Sequence, residues 1–211
     1  MVDVTSRQSV TPEAQPIKRG HAFALPNLLT YGRCVAVPLL AACLFWADIL
    51  AGGIWLRWVA LGIYIAAAIT DFFDGYLARA WEQQSAIGRM LDPIADKLLV
   101  STSLLMMASD GTIRGWSLWA GLVILCREIL VSGLREFLAE VRVSVPVTRL
   151  AKWKTAAQLV AVGVLLAGPA GDLVLPGITL AGIVLLWIAA ILTLYTGWDY
   201  FRAGAHHLID E

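Results

Sequence analysis

Long apolar runs alternate with short polar clusters along the 211-residue chain. Six runs approach the roughly 20 residues that a helix needs to cross hydrocarbon. They cover residues 26–46, 54–73, 91–108, 116–138, 152–167 and 173–196. None alternates apolar and polar positions as barrel strands do, and a backbone in lipid must satisfy its own hydrogen bonds, so the runs are helices. The pattern predicts an all-α polytopic membrane bundle of six transmembrane helices with an N-terminal interfacial helix. That start is PNLLTYGR, residues 26–33, with Pro26 near the opening and Asn27 as a cap. Asn27, Thr30 and Arg33 recur there at three-residue spacing, one face that serves either as a membrane-surface anchor or as a substrate-facing wall. Pro38 is expected to kink the first span.

Flanking composition sets the boundaries. Residues 1–24 are polar and irregular, with Pro12, Pro16, Lys18 and Arg19, and have no continuous apolar core of a signal peptide. They are expected to be a flexible cytosolic tail, residues 25–200 the membrane domain, and residues 201–211 a cytosolic C-terminal tail. Arg79, Arg89, Arg142, Arg149, Lys152, Lys154 and Arg202 fall on one side of the bundle, with only Arg57 and Arg114 on the other. The positive-inside rule then puts both termini in the cytoplasm, and Trp46, Trp55, Trp58, Trp116 and Trp119 form an aromatic belt at the outer interface. The chain is 59% hydrophobic and 15% charged, with a formal net charge of zero, so its global charge gives no hint of nucleic-acid binding, and none is expected. Cys34, Cys43 and Cys126 are scattered through apolar segments and are expected to be small core residues. His206 and His207 have no partner ligands nearby in sequence and are expected to be solvated.

One stretch carries the chemistry, DFFDGYLARAWEQQSAIGRMLDPIAD, residues 71–96. On helices, Asp71 and Asp74 share one face and Asp92 and Asp96 another, and a short polar turn over residues 80–87 lets the two pairs converge. Four carboxylates in one place repel unless a cation lies among them. An all-oxygen set with no His or Cys suits Mg2+ or Mn2+. Gly75 and Ala78 keep the helix surface flat beside the carboxylates, Gly88 permits close contact across the hairpin, and Arg79 offers a fork for phosphate oxygens. Carboxylates, a divalent ion and an arginine together point to metal-assisted displacement at phosphorus.

This stretch matches D-x2-D-G-x2-A-R-x8-G-x3-D-x3-D without departure, and so resembles the CDP-alcohol phosphotransferases (CDP-alcohol phosphatidyltransferases), integral membrane enzymes that displace CMP from a CDP-linked substrate with an alcohol. The resemblance implies that Asp71, Asp74 and Asp92 ligate metal, and that Asp96 is the catalytic base, with a metal contact of its own. It also implies that Asp71, Asp74, Gly75, Ala78, Arg79 and Gly88 hold CDP-diacylglycerol. A homodimeric bundle of six spans in a bacterial-type cytoplasmic (inner) membrane, with its site open to the cytoplasm, is expected on the same ground.

A second polar cluster follows in the fourth and fifth spans. REILVSGLREF, residues 127–137, and AKWKT, residues 151–155, place Arg127, Arg135, Lys152 and Lys154 beside the acidic site, a basic rim suited to a phosphorylated acceptor. Glu128 is expected to point away from Arg127. Arg127 and Glu128 could instead form a buried ion pair with other spans. Together with PNLLTYGR, these segments resemble the phosphatidylglycerophosphate synthase branch, which joins sn-glycerol 3-phosphate to CDP-diacylglycerol. That resemblance implies acceptor-phosphate contacts from Thr30, Arg33, Arg127, Arg135, Lys152 and Lys154. Inositol phosphate or serine as acceptor, and cation transport through the same carboxylates, are the competing readings.

Overall fold

The computed structural model describes residues 25–50, 53–81, 86–140 and 149–209. Within them the chain forms six long helices: α1 (Leu25–Ile49), α2 (Leu56–Trp81), α3 (Ala86–Ser109), α4 (Ser117–Glu140), α5 (Arg149–Asp172) and α6 (Ile178–Ile209). A single 3-10 turn, Gly53–Trp55, leads into α2. All the regular structure described is helical, as the apolar runs require. Five of the six helices, all but α3, are long and apolar enough to cross a membrane. The expected third span, α3, has the length but carries Asp92, Asp96 and Lys97 within it.

Several boundaries differ from the hydrophobic pattern. α2 continues past its apolar run to Trp81 and α3 starts at Ala86, so the carboxylates lie inside helices rather than at their tips. A helix needs no apolar surroundings to extend, since its hydrogen bonds are internal. For the same reason α6 runs on to Ile209 and takes in much of the segment expected to be a tail, including His206 and His207. PNLLTYGR is not set apart from the first span; it forms the opening turns of α1, which stays helical through Pro38. The expected tail at residues 1–24 lies outside the described residues.

α1 packs on α2 and α3, α5 on α6 and α2, and α4 on α6, whereas α3 and α4 meet only sparsely. Leu40, Leu44, Tyr64, Leu104, Met107, Ile124, Leu165 and Leu186 fill the centre. Lipid is as apolar as leucine, so close packing rather than water exclusion holds such helices together. Gly182 shows the tightness: a Cβ there would lie 2.8 Å from Leu165 Cδ2, so α5 and α6 approach through a bare backbone. Cys126 is exposed, not a core residue. Trp46, Trp55, Trp58, Trp116 and Trp119 are also exposed, all at the end of the bundle opposite the carboxylates.

A polar clasp lies at that tryptophan end. Pro169 has no N–H to give Leu165 O and Gly168 takes φ +30, so α5 kinks and the carbonyls just before the break need other donors. Arg57 supplies them: Nε donates to Leu166 O at 3.1 Å and Nη2 to Leu165 O at 3.2 Å. Nη2 also donates to Thr112 Oγ1 at 3.0 Å, and Nη1 pairs with Asp110 at 2.5 Å. One buried guanidinium thus ties α2, the α3–α4 turn and the α5 kink. Arg57→Met strands Asp110 and two carbonyls, so thermal unfolding in detergent should show a loss of about 3–5 kcal/mol, the usual cost of breaking a buried pair from one side. An unchanged transition would show the clasp to be dispensable.

Candidate active site

Asp71, just past the middle of α2, and Asp96, about two turns after Gly88 in α3, meet at α1. Their common partner is Arg33. Its Nη1 lies 2.7 Å from Asp71 Oδ1 and donates to Asp96 Oδ1 at 2.5 Å. One turn back on α1, Thr30 Oγ1 donates to Asp92 Oδ1 at 2.5 Å. Asn27, Thr30 and Arg33 are therefore the buried inner face of α1, not a membrane-surface anchor. Three of the four carboxylates are brought together by a helix that the 71–96 stretch does not include.

Burial divides this cluster unequally. The Arg33 side chain is 0% exposed, while those of Asp71 and Asp96 are 43% and 48% exposed. A buried charge is tolerable only when paired, and each carboxylate has about four lone-pair sites, so Arg33 can satisfy one side of each and leave the other open. Asp74, Gly75, Ala78 and Arg79 lie on the same helix, α2, with side chains outside the described residues; Gly88 is buried in the first turn of α3. No described group of three His, Cys, Asp or Glu side chains forms a finished metal cage. The donor set nonetheless fits a hard divalent ion: two half-open carboxylates converge on one cationic atom, and every donor is oxygen.

Those open carboxylate faces look into a cavity of about 470 Å³. It is lined by Arg33, Asp71 and Asp96 on one side and by Arg135, Lys154 and Glu128 on another. The acidic site and the basic rim thus share one space, between α3 and α4 where packing is sparse. Lys152 is in the first turn of α5, its side chain outside the described residues.

Arg127 is not part of that wall. Its Nε donates to Thr193 O at 3.0 Å and its Nη2 to Thr196 Oγ1 at 3.1 Å, which binds α4 to α6. Nη1 donates to Glu128 Oε1 at 3.2 Å, so the adjacent carboxylate does not point elsewhere. Lys154 also donates to Glu128, and the one carboxylate balances both cations. Arg135 reaches the cavity with its guanidinium 5.9 Å from the Tyr200 ring centre. Thr30 and Arg33, expected on the acceptor phosphate, are engaged by the carboxylates.

Among the described residues, six polar lining side chains carried no site role in the sequence reading: Lys97, Ser101, Ser132, Glu136, Thr155 and Gln158. The signal existed. Glu128, Ser132, Arg135, Glu136 and Ala139 recur at helical spacing down one face of α4, all on the cavity wall.

Against this geometry the comparisons with known proteins are direct. The family model described as CDP-alcohol phosphatidyltransferase matches residues 23–195. The chain belongs to that family. Among curated relatives, a protein of Cereibacter sphaeroides is 40% identical over 222 residues, covering 90% of this chain and 99% of its own. One of Rickettsia bellii is 45% identical over 179 residues, covering 85% of this chain and 94% of its own, and one of Escherichia coli is 36% identical, covering 90% and 99%. All three are named CDP-diacylglycerol--glycerol-3-phosphate 3-phosphatidyltransferase.

Within this family member, Gly197 leaves room for the Arg127 arm, since a Cβ would lie 3.0 Å from its Cγ and 3.1 Å from its Nε. Gly197→Ala should therefore push Arg127 off Thr193 and Thr196, at a cost of about 1–3 kcal/mol by overpacking. Thermal unfolding in detergent measures it, and a wild-type transition would contradict the tight fit.

Proposed function

We propose that the protein is an integral membrane transferase that joins sn-glycerol 3-phosphate to CDP-diacylglycerol, giving phosphatidylglycerophosphate and CMP. The observation that carries this reading is the shared cavity, whose lining holds the half-open carboxylates of Asp71 and Asp96 together with the cations Arg135 and Lys154. The relatives' printed names support the same substrates.

In this reading Asp96 accepts the proton of the acceptor's primary hydroxyl as its oxygen attacks the β-phosphorus of CDP-diacylglycerol. The new bond is oxygen to phosphorus; the bond that breaks joins that phosphorus to the bridging oxygen, which leaves on CMP. Asp71, Asp74, Asp92 and Asp96 would hold Mg2+ or Mn2+, which when bound polarises phosphoryl oxygen and offsets charge on the leaving group. Arg33 orients Asp71 and Asp96 from behind and screens their repulsion. Gly75, Ala78, Arg79 and Gly88 lie along the cytidine diphosphate part. Arg135, Lys154 and Lys152 face the acceptor phosphate, and Arg127 positions Glu128.

An apolar groove of about 870 Å³ between α2 and α5 supports the lipid half of the assignment. Tyr64, Ile65, Phe73, Val160 and Val164 line it, and Ala68 and Leu159 belong to both groove and polar cavity. Acyl chains could therefore stay in apolar surroundings while the diphosphate reaches the carboxylates. We place the site on the cytoplasmic side, with both termini there, and the protein as a homodimer in the bacterial inner membrane.

Two measurements test the proposal. Asp96→Asn should lower kcat for CMP release by about 10²–10⁴, the range for loss of a positioned base, and full activity would exclude Asp96 from that role. Product analysis with CDP-diacylglycerol and glycerol 3-phosphate, inositol phosphate and serine in competition should give phosphatidylglycerophosphate; another product would reassign the acceptor within the family.

A further inference from the structure

Among the described residues four cations line the polar cavity, and they are not equally engaged. Arg33 is matched by Asp71 and Asp96, and Lys154 by Glu128. Arg135 lies over the Tyr200 ring at the exposed rim. Lys97 differs from the other three: it is half-buried, and its Nζ donates to the neutral hydroxyl of Ser132 across the gap between α3 and α4. Among the described residues no carboxylate is within ion-pair distance of it. The nearest acid along that line is Glu136, whose Oε1 is 3.4 Å from Ser132 Oγ, one hydroxyl removed. A half-buried ammonium balanced only by a hydroxyl is poorly compensated, and the open space beside it is where an anion would gain most.

Its place in the helix matters as much as its charge. Lys97 follows Asp96 directly, and consecutive helical side chains project about 100° apart, so the two reach neighbouring points of one cavity wall. We propose that Lys97 is a further substrate-binding residue, whose ammonium takes the acceptor's phosphate together with Arg135. The same turn of α3 then holds both ends of the acceptor: Asp96 the hydroxyl that reacts, Lys97 the anion that does not. Ser132 keeps the ammonium in place before the acceptor arrives. Lys154, already balanced by Glu128, contributes less. This rests on the phosphorylated-acceptor reading above and names a residue that neither the motif nor the basic segments contain.

The test uses the full-length protein in detergent, with glycerol 3-phosphate varied at saturating CDP-diacylglycerol. Lys97→Met should raise KM for glycerol 3-phosphate about tenfold or more, the size expected for one lost charged contact, and leave kcat and the CDP-diacylglycerol KM within about threefold. Lys97→Gln keeps a hydrogen bond to Ser132 without the charge and should show the same rise, whereas Lys97→Arg should restore KM to within about threefold. Calorimetric binding of glycerol 3-phosphate should weaken in step. An unchanged acceptor KM in the Gln variant, or a loss confined to kcat or to CDP-diacylglycerol, overturns the assignment. If wild-type protein releases CMP only with an uncharged acceptor, the acceptor reading itself fails, and that is seen before any variant is made.

Discussion

A guanidinium with no exposed surface, held between two carboxylates, is the contact on which the site depends. Arg33 could not be placed inside a lipid-embedded bundle alone, because the desolvation of an unpaired charge is prohibitive. Asp71 and Asp96 could not be brought so close without a cation either, since like charges at that range repel. Each side makes the other possible, and the arrangement fixes three helices at one end of the molecule. Thr30 extends the same logic to Asp92, one helical turn away. Because Arg33 lies behind the carboxylates and not over them, their outer oxygens stay available to the cavity.

The opposite end is secured by a second buried arginine of a different kind. Arg57 answers a defect made by Pro169 and Gly168, donating to the carbonyls of Leu165 and Leu166 beside the α5 kink. Between these clasps the helices rely on close packing, most evident where Gly182 meets Leu165. Packing is not uniform. It is dense between α5 and α6 and sparse between α3 and α4, and the sparse seam is the cavity. The candidate site is thus what remains where two helices that carry polar side chains do not close on each other.

That cavity has chemically distinct walls. α1, α2 and α3 bring carboxylates with a cation behind them; α4 and α5 bring Arg135, Lys154 and Glu128; the seam shared by Ala68 and Leu159 leads to an apolar groove. A CDP-linked lipid asks for all three environments at once, a place for a diphosphate, a place for a second polar reactant, and a route for chains that stay in the bilayer. The lining of the cavity is of the kind that the chemistry proposed for this family member requires.

From the order of residues alone came the six helical runs, because hydrocarbon thickness and backbone hydrogen bonding allow few alternatives. The pairing of Asp71 with Asp74 and of Asp92 with Asp96 on helical faces was equally local, since it follows from 3.6 residues per turn. What periodicity cannot state is which neighbour a face meets. Arg33 and Asp96 are 63 positions apart, and Arg57 and Leu166 are 109 apart, so only packing could show that one arginine serves the carboxylates and the other a kink. The same reason turned Arg127 toward α6, left Cys126 exposed and brought Lys97 to the cavity wall. Sequence determined the faces of the helices; the tertiary structure decided their partners, because partners are chosen by helix rotation and spacing, which no single segment contains.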